Sequence, residues 1–284
     1  MESIPVALEI IWLISIALHP IEIVPSNIHP QINFVARKDL PIESIEKLCE
    51  ENYRIILNGM AGVGKSELAK QYLFHSLEKR KYRAYIWVRA ESEESLSNEY
   101  ALIAKTLGLV SNDETNFDII LNALLKELNS VDEWLMVFDN LDKMDSLHDR
   151  LPRQKGTRHV IITTRYGQTS RSFQAKLEYI PELSSLESLS LFNSIYPCNS
   201  KNMQEASARQ DLMVELGNLP LAILQSTAYL TEEPMSVSEY LTNYQKTYDE
   251  SIWTYRPVED KTYEPVGVTL TMTLDRIKDS EIAL

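Results

Sequence analysis

Residues 59–66 read Gly-Met-Ala-Gly-Val-Gly-Lys-Ser and match GxxxxGK(S/T) at every fixed position. No other stretch constrains the fold as tightly. Cradling phosphate oxygens requires successive backbone N–H groups that point inward, in dihedrals that glycine adopts at least cost. The arrangement works where a strand ends and a helix begins, because a helix N-terminus adds unpaired donors and about half a positive charge. Both flanks are present: Tyr53 to Asn58 is a β-rich run that ends on Gly59, and a helical pattern starts at Lys65. The chain holds only eight glycines, and Gly59, Gly62 and Gly64 fall together here. Gly59, Met60, Ala61, Gly62, Val63, Gly64, Lys65, Ser66 and Glu67 are therefore expected to line a nucleotide phosphate site. Lys65 reaches the β- and γ-phosphates, and the Ser66 hydroxyl ligates Mg²⁺.

The remaining pattern alternates. Strands are expected at Tyr82–Val88, Trp134–Phe138, His159–Thr163 and Leu177–Ile180, the second of them a continuous apolar run suited to burial on both faces. Helices are expected at 41–51, 65–80, Ser92–Leu107 (with Gly108 just past its end) and Phe117–Leu128. From about Ser184 only helical patterns follow: one beginning at Leu186, one over Leu212–Leu216 and one over Leu219–Leu230. Alternating βα units imply a parallel sheet covered on both faces. The fold class is thus α/β, a P-loop NTPase sheet followed by a small helical domain. The expected division is a hydrophobic segment and Pro-containing linker over 1–32, a nucleotide-binding domain over 33–181 and a helical domain over 182–250. A truncated further domain is expected over 251–284.

Asp139 closes the WLMVF run, so its carboxylate lies at the C-terminal end of a central strand, where ligands bind in open α/β sheets. Mg²⁺ takes one or two protein carboxylates and keeps several waters, which suits Asp139 as its second protein ligand. Asn140 follows where a vigorous ATPase carries a second acid, and an amide cannot take a proton from water. Slow hydrolysis or none is expected, with Asp142 a possible substitute base. Thr163, Thr164 and Arg165 end the next strand, and a cation there could sense the γ-phosphate.

Composition narrows the partners. With 28 basic and 41 acidic residues, the net charge of −13 argues against a nonspecific nucleic-acid or anionic-membrane surface. Cys49 and Cys198 form no metal-ligand spacing or disulfide framework, which makes a reduced, cytoplasmic setting the expectation, with Cys49 a partly buried structural thiol. The five histidines show no ligand spacing. Ile4–Leu18 is nearly all apolar but shorter than the ~20 residues of a spanning helix, and no basic residue precedes Arg37. It reads as a short hydrophobic helix that packs on a partner domain or is the remnant of a longer N-terminal module. Val266, Leu270, Leu274 and Ile277 have helical spacing that runs to Leu284 without a stop signal, as in a piece of a larger protein.

The ordered motifs resemble the NB-ARC family of STAND ATPases, fungal members especially. Phe34-Val-Ala-Arg-Lys-Asp-Leu40 resembles the FVGRE-L entry motif, with Ala36 in place of glycine. The phosphate loop, YIWV, LMVFDNLD, VIITTR and LSSLESLSLF follow in order. Gly217-Asn-Leu-Pro-Leu-Ala222 resembles GGLPLA, with Asn218 in place of the second glycine. The resemblance implies that Val35 and Arg37 contact adenine and ribose, that Arg165 is a sensor and that Pro220 closes over the base. It implies a switch in the manner of NLR-like immunity proteins: ADP holds a closed state, and ATP permits self-association. Two rivals stay open, a catalytically active P-loop ATPase and an interaction module whose ADP is structural. A GTPase would carry an NKxD motif, and none occurs.

Overall fold

A computed structural model of the chain describes residues 20–141, 150–153, 155–166, 173–197, 203–233 and 235–254. The hydrophobic segment at Ile4–Leu18, Asp142, Cys198 and the helical pattern from Val266 onward lie outside the described residues. The chain forms two compact units. One comprises residues 1–30, 40–59 and 65–179; the other comprises 31–39, 60–64 and 180–284.

The first unit is built on strands β1 (Ile21–Ile23), β2 (Arg54–Asn58), β3 (Ala84–Arg89), β4 (Glu133–Asp139), β5 (Thr157–Thr164) and β6 (Lys176–Tyr179). They pair in the order β1-β3-β4-β5-β2-β6, every pair parallel. The α/β class with a parallel sheet thus stands as read. Strand β4 is continuous and apolar because both of its faces are covered: Trp134 to Phe138 are all buried. Successive side chains alternate between faces. Ile86, Val88, Met136, Phe138, Val160 and Ile162 meet Leu96, Tyr100 and Ile103 of helix α3 (Glu93–Thr106) and Ile120 and Leu124 of α4 (Phe117–Leu128). Helix α2 (Lys65–Glu78) packs on β4 and β5, and α1 (Ile42–Glu51) packs on β2 and α2. Ser92 caps α3 by accepting the Ser95 N–H at 3.0 Å, and Gly108 past its end has φ +67°.

The second unit contains α5 (Ser185–Ile195), α6 (Met203–Glu215), α7 (Pro220–Glu232) and α8 (Val237–Thr254). Helix α6 packs on α5 and α8, and α5 on α7, around Phe192, Leu212, Ile223, Tyr240 and Tyr244. Ser184 and Glu187 form a capping box at the start of α5. Arg209 is buried, and its two Nη groups donate to Asn193 Oδ1 and to the carbonyls of Tyr196 and Pro197.

Three features depart from the sequence reading. The Pro-containing linker contains a strand, β1, whose three residues pair with Ala84–Ile86. Helix α8 is additional to the three helices read after Ser184. Cys49 is fully rather than partly buried, and burial pushes its thiol up to about 12. Among the described residues, no helix is long and apolar enough to cross a membrane.

Candidate functional site

In the first unit the C-terminal ends of β2, β4 and β5 lie side by side, because β5 pairs with both of its neighbours in parallel register. Lys65, the first residue of α2, is buried, and its Nζ donates to the Gly59 carbonyl at 2.8 Å. Ser66 Oγ donates to Asp139 Oδ1 at 2.5 Å, and Thr163 Oγ1 donates to the same oxygen at 2.7 Å. The Asn140 N–H in turn donates to Thr163 Oγ1 at 2.8 Å. Two hydroxyls from two elements thus converge on one carboxylate oxygen. Ser66 and Asp139 offer adjacent hard-oxygen donors, the set that Mg²⁺ takes from protein, and cis ligands at ~2.1 Å from an octahedral ion lie about 3 Å apart. The donor chemistry fits that ion. Among the described residues, no group of three or more His, Cys, Asp or Glu side chains is placed so that it could hold a metal ion.

Two further residues of this unit have contacts on their own segments. The Glu67 carboxylate engages Lys70 at 3.4 Å and Gln71 at 2.9 Å on its own helix. The Arg165 guanidinium carbon lies 5.7 Å from the ring centroid of its neighbour Tyr166. Thr163 is the residue that sequence reasoning left without a role. A threonine pair closing an apolar strand was its signal, but the hydrogen bond to Asp139 depends on the β4–β5 register.

The second unit carries the loop residues Met60 to Gly64. Gly62 and Gly64 have φ +76° and +97°, in the left-handed region that glycine occupies cheaply. A Cβ on Gly62 would stand 3.1 Å from Leu221 Cβ, a tight approach that adds to the dihedral's preference for glycine there. The Leu221 N–H donates to the Gly62 carbonyl at 3.2 Å. Arg37, 7% exposed, donates from Nη2 to the Val63 carbonyl and from Nη1 to the Pro181 carbonyl. Burial lowers its pKa, opposed by the nearby carboxylates of Glu187 and Glu182. Val35, two residues earlier, is half-buried. Pro220 is the first residue of α7, and its Cγ lies 3.9 Å from where a Cβ on Gly64 would stand. The preceding Asn218 has φ +52°, a conformation in which asparagine is the best replacement for glycine, and its Oδ1 accepts from Ser188 Oγ at 2.7 Å. Leu221 escaped sequence reasoning because it acts through its backbone amide.

The family model described as NB-ARC domain matches residues 39–199. A nucleotide-binding leucine-rich repeat (NLR)-like protein of Hyaloscypha variabilis is 23% identical over 224 residues, 72% of this chain and 22% of that protein. Disease resistance RPP8-like protein 3 of Arabidopsis thaliana is 25% identical over 186 residues, 61% of this chain and 20% of that protein. The chain spans about a fifth of the length of these relatives. Among solved structures, a Walker-type ATPase of Pyrococcus abyssi superimposes with a TM-score of 0.50 at 11% identity, covering 84% of this chain and 77% of that one. AMPPCP-bound DnaA from Aquifex aeolicus gives 0.50 at 14%, covering 86% and 80%. At these identities the structural likenesses establish the fold.

Proposed function

The chain belongs to the NB-ARC family, and from that premise we propose that it is a signalling switch operated by ADP and ATP with Mg²⁺ in an NLR-like immunity or cell-death protein. One observation carries the reading. The Ser66 hydroxyl, where α2 begins, and the Asp139 carboxylate, where β4 ends, are hydrogen-bonded to each other, so the two oxygens that a shared metal–phosphate site would use are adjacent. When bound, Mg²⁺ neutralises charge on the phosphates. Lys65 holds the β- and γ-phosphates, and the N–H groups of residues 60–64 hold phosphate oxygens. Val35 and Pro220 serve the base and ribose, and Arg165 senses the γ-phosphate.

Asn140 offers no base, so the proposed switch hydrolyses slowly and resides in one nucleotide state for long periods. Exchange of ADP for ATP then shifts the population toward a self-associating state by the difference in affinity for the two conformations. A cytoplasmic setting belongs to the same proposal.

Lys65→Ala removes a charge-assisted contact worth roughly 1.5–3 kcal/mol, so ADP and ATP should bind about ten- to hundredfold more weakly. Titration calorimetry on the folded variant checks this, and unchanged affinity would overturn the assignment.

A further inference from the structure

Two consecutive carbonyls of the phosphate loop are anchored by groups from distant sequence. The Gly62 carbonyl accepts the Leu221 N–H, and the Val63 carbonyl accepts Arg37 Nη2. A trans peptide is planar, with C=O and N–H pointing in opposite directions. Anchoring the Gly62 carbonyl therefore aims the Val63 N–H the other way, and anchoring the Val63 carbonyl does the same for the Gly64 N–H. Without anchors these peptides would be free to turn over, because the glycines at 62 and 64 tolerate many dihedrals. Arg37 is itself immobilised. It is 7% exposed, its Nη1 donates to Pro181 O at 2.6 Å, and a Cβ on Gly64 would stand 3.7 Å from its Nη2.

We propose that Arg37 is a positioning residue for phosphate, its guanidinium holding the Val63 peptide so that the Gly64 N–H is preset for a phosphate oxygen before any nucleotide arrives. The site so preset takes diphosphates and polyphosphates as a class, with the nucleoside recognised elsewhere. This assigns Arg37 a role in phosphate recognition in place of contact with adenine and ribose, and it rests on the nucleotide-binding reading above. The planar two-pronged guanidinium matters, since it bonds two carbonyls at once; a lysine keeps the charge but not the fork.

The test compares ADP affinity by calorimetry with the ability of inorganic pyrophosphate to displace a fluorescent ADP analogue, each with Mg²⁺. Arg37→Met should weaken ADP and pyrophosphate by the same factor, about tenfold or more. Arg37→Lys should weaken both by a smaller common factor. If the Met variant loses its folded circular-dichroism spectrum, the Lys variant carries the comparison. Loss of ADP binding with pyrophosphate unaffected would overturn the proposal in favour of a base or ribose contact. Wild-type affinities in the Lys variant would also overturn it, as would failure of pyrophosphate to compete in the unaltered protein. If the unaltered protein binds no ADP, or Lys65→Ala binds it as well as the unaltered protein does, the nucleotide reading itself fails.

Discussion

The chemistry at the end of β4 is set by what each single position can do. Asp139 supplies a carboxylate that collects two hydroxyl donors. Asn140 supplies a conformation: its φ is +60°, where a side chain with a Cβ is strained unless it is asparagine or aspartate. Its side chain is exposed, so packing offers no competing explanation. Asn140→Ala should therefore cost about 1 kcal/mol, while Asn140→Gly should be close to neutral. Urea denaturation of the two variants checks this, and equal midpoints would remove the backbone explanation. Sequence showed the missing base at this position. It could not show the positive φ, which appears only once the chain turns from β4.

Among elements, legibility followed burial. The runs of β3, β4 and β5 were read to within two residues because strands covered on both faces need apolar side chains throughout. Strand β1 was read as linker because Ile-Glu-Ile among prolines has no signal of its own; it is a strand by virtue of pairing with β3. Helix α8 hides its apolar face in Val237, Tyr240 and Tyr244, set in an otherwise polar stretch. Equally hidden was the polar seam joining α2, the turn before β3 and β5. Tyr72 and Tyr82 hydroxyls meet at 3.0 Å, and Tyr82 reaches His159 Nδ1 at 2.8 Å, all buried. Burial, helped by the charge of Lys81, lowers the His159 pKa from 6.5 to about 4. Above pH 6.5 neither folded nor unfolded chain protonates this ring. Between 6.5 and 4 the unfolded chain binds the proton and the folded one does not, so stability falls as the pH falls. The loss amounts to about 1.4 kcal/mol per pH unit, or about 3 kcal/mol in total. Denaturation at pH 7.5 and 5 should show about 2 kcal/mol of that loss, reduced in His159→Gln; identical pH dependence in the two proteins would clear His159 of the effect.

At the scale of the whole molecule, charge and chain order dominate. A chain of net −13 repels a polyanionic nucleotide in general, so the proposed binding must draw on a local field: helix N-terminus, Lys65 and oriented amides. The proposed switch predicts a larger particle by light scattering with ATP and Mg²⁺ than with ADP. Equal masses would favour the structural-module reading. The strand order carries a further consequence. Strand β2, which leads into the phosphate loop, pairs only with β5 and β6, both made about a hundred residues later. A nascent chain leaving the ribosome therefore exposes the unpaired edges of β2 until residues 157–179 have emerged. At ~5–20 residues per second, that interval lasts roughly 5–25 s. Ribosome-bound chains cut short before β5 cannot complete the sheet around the strand that presents the loop, so the proposed nucleotide can act on folding only after residues 157–179 have emerged.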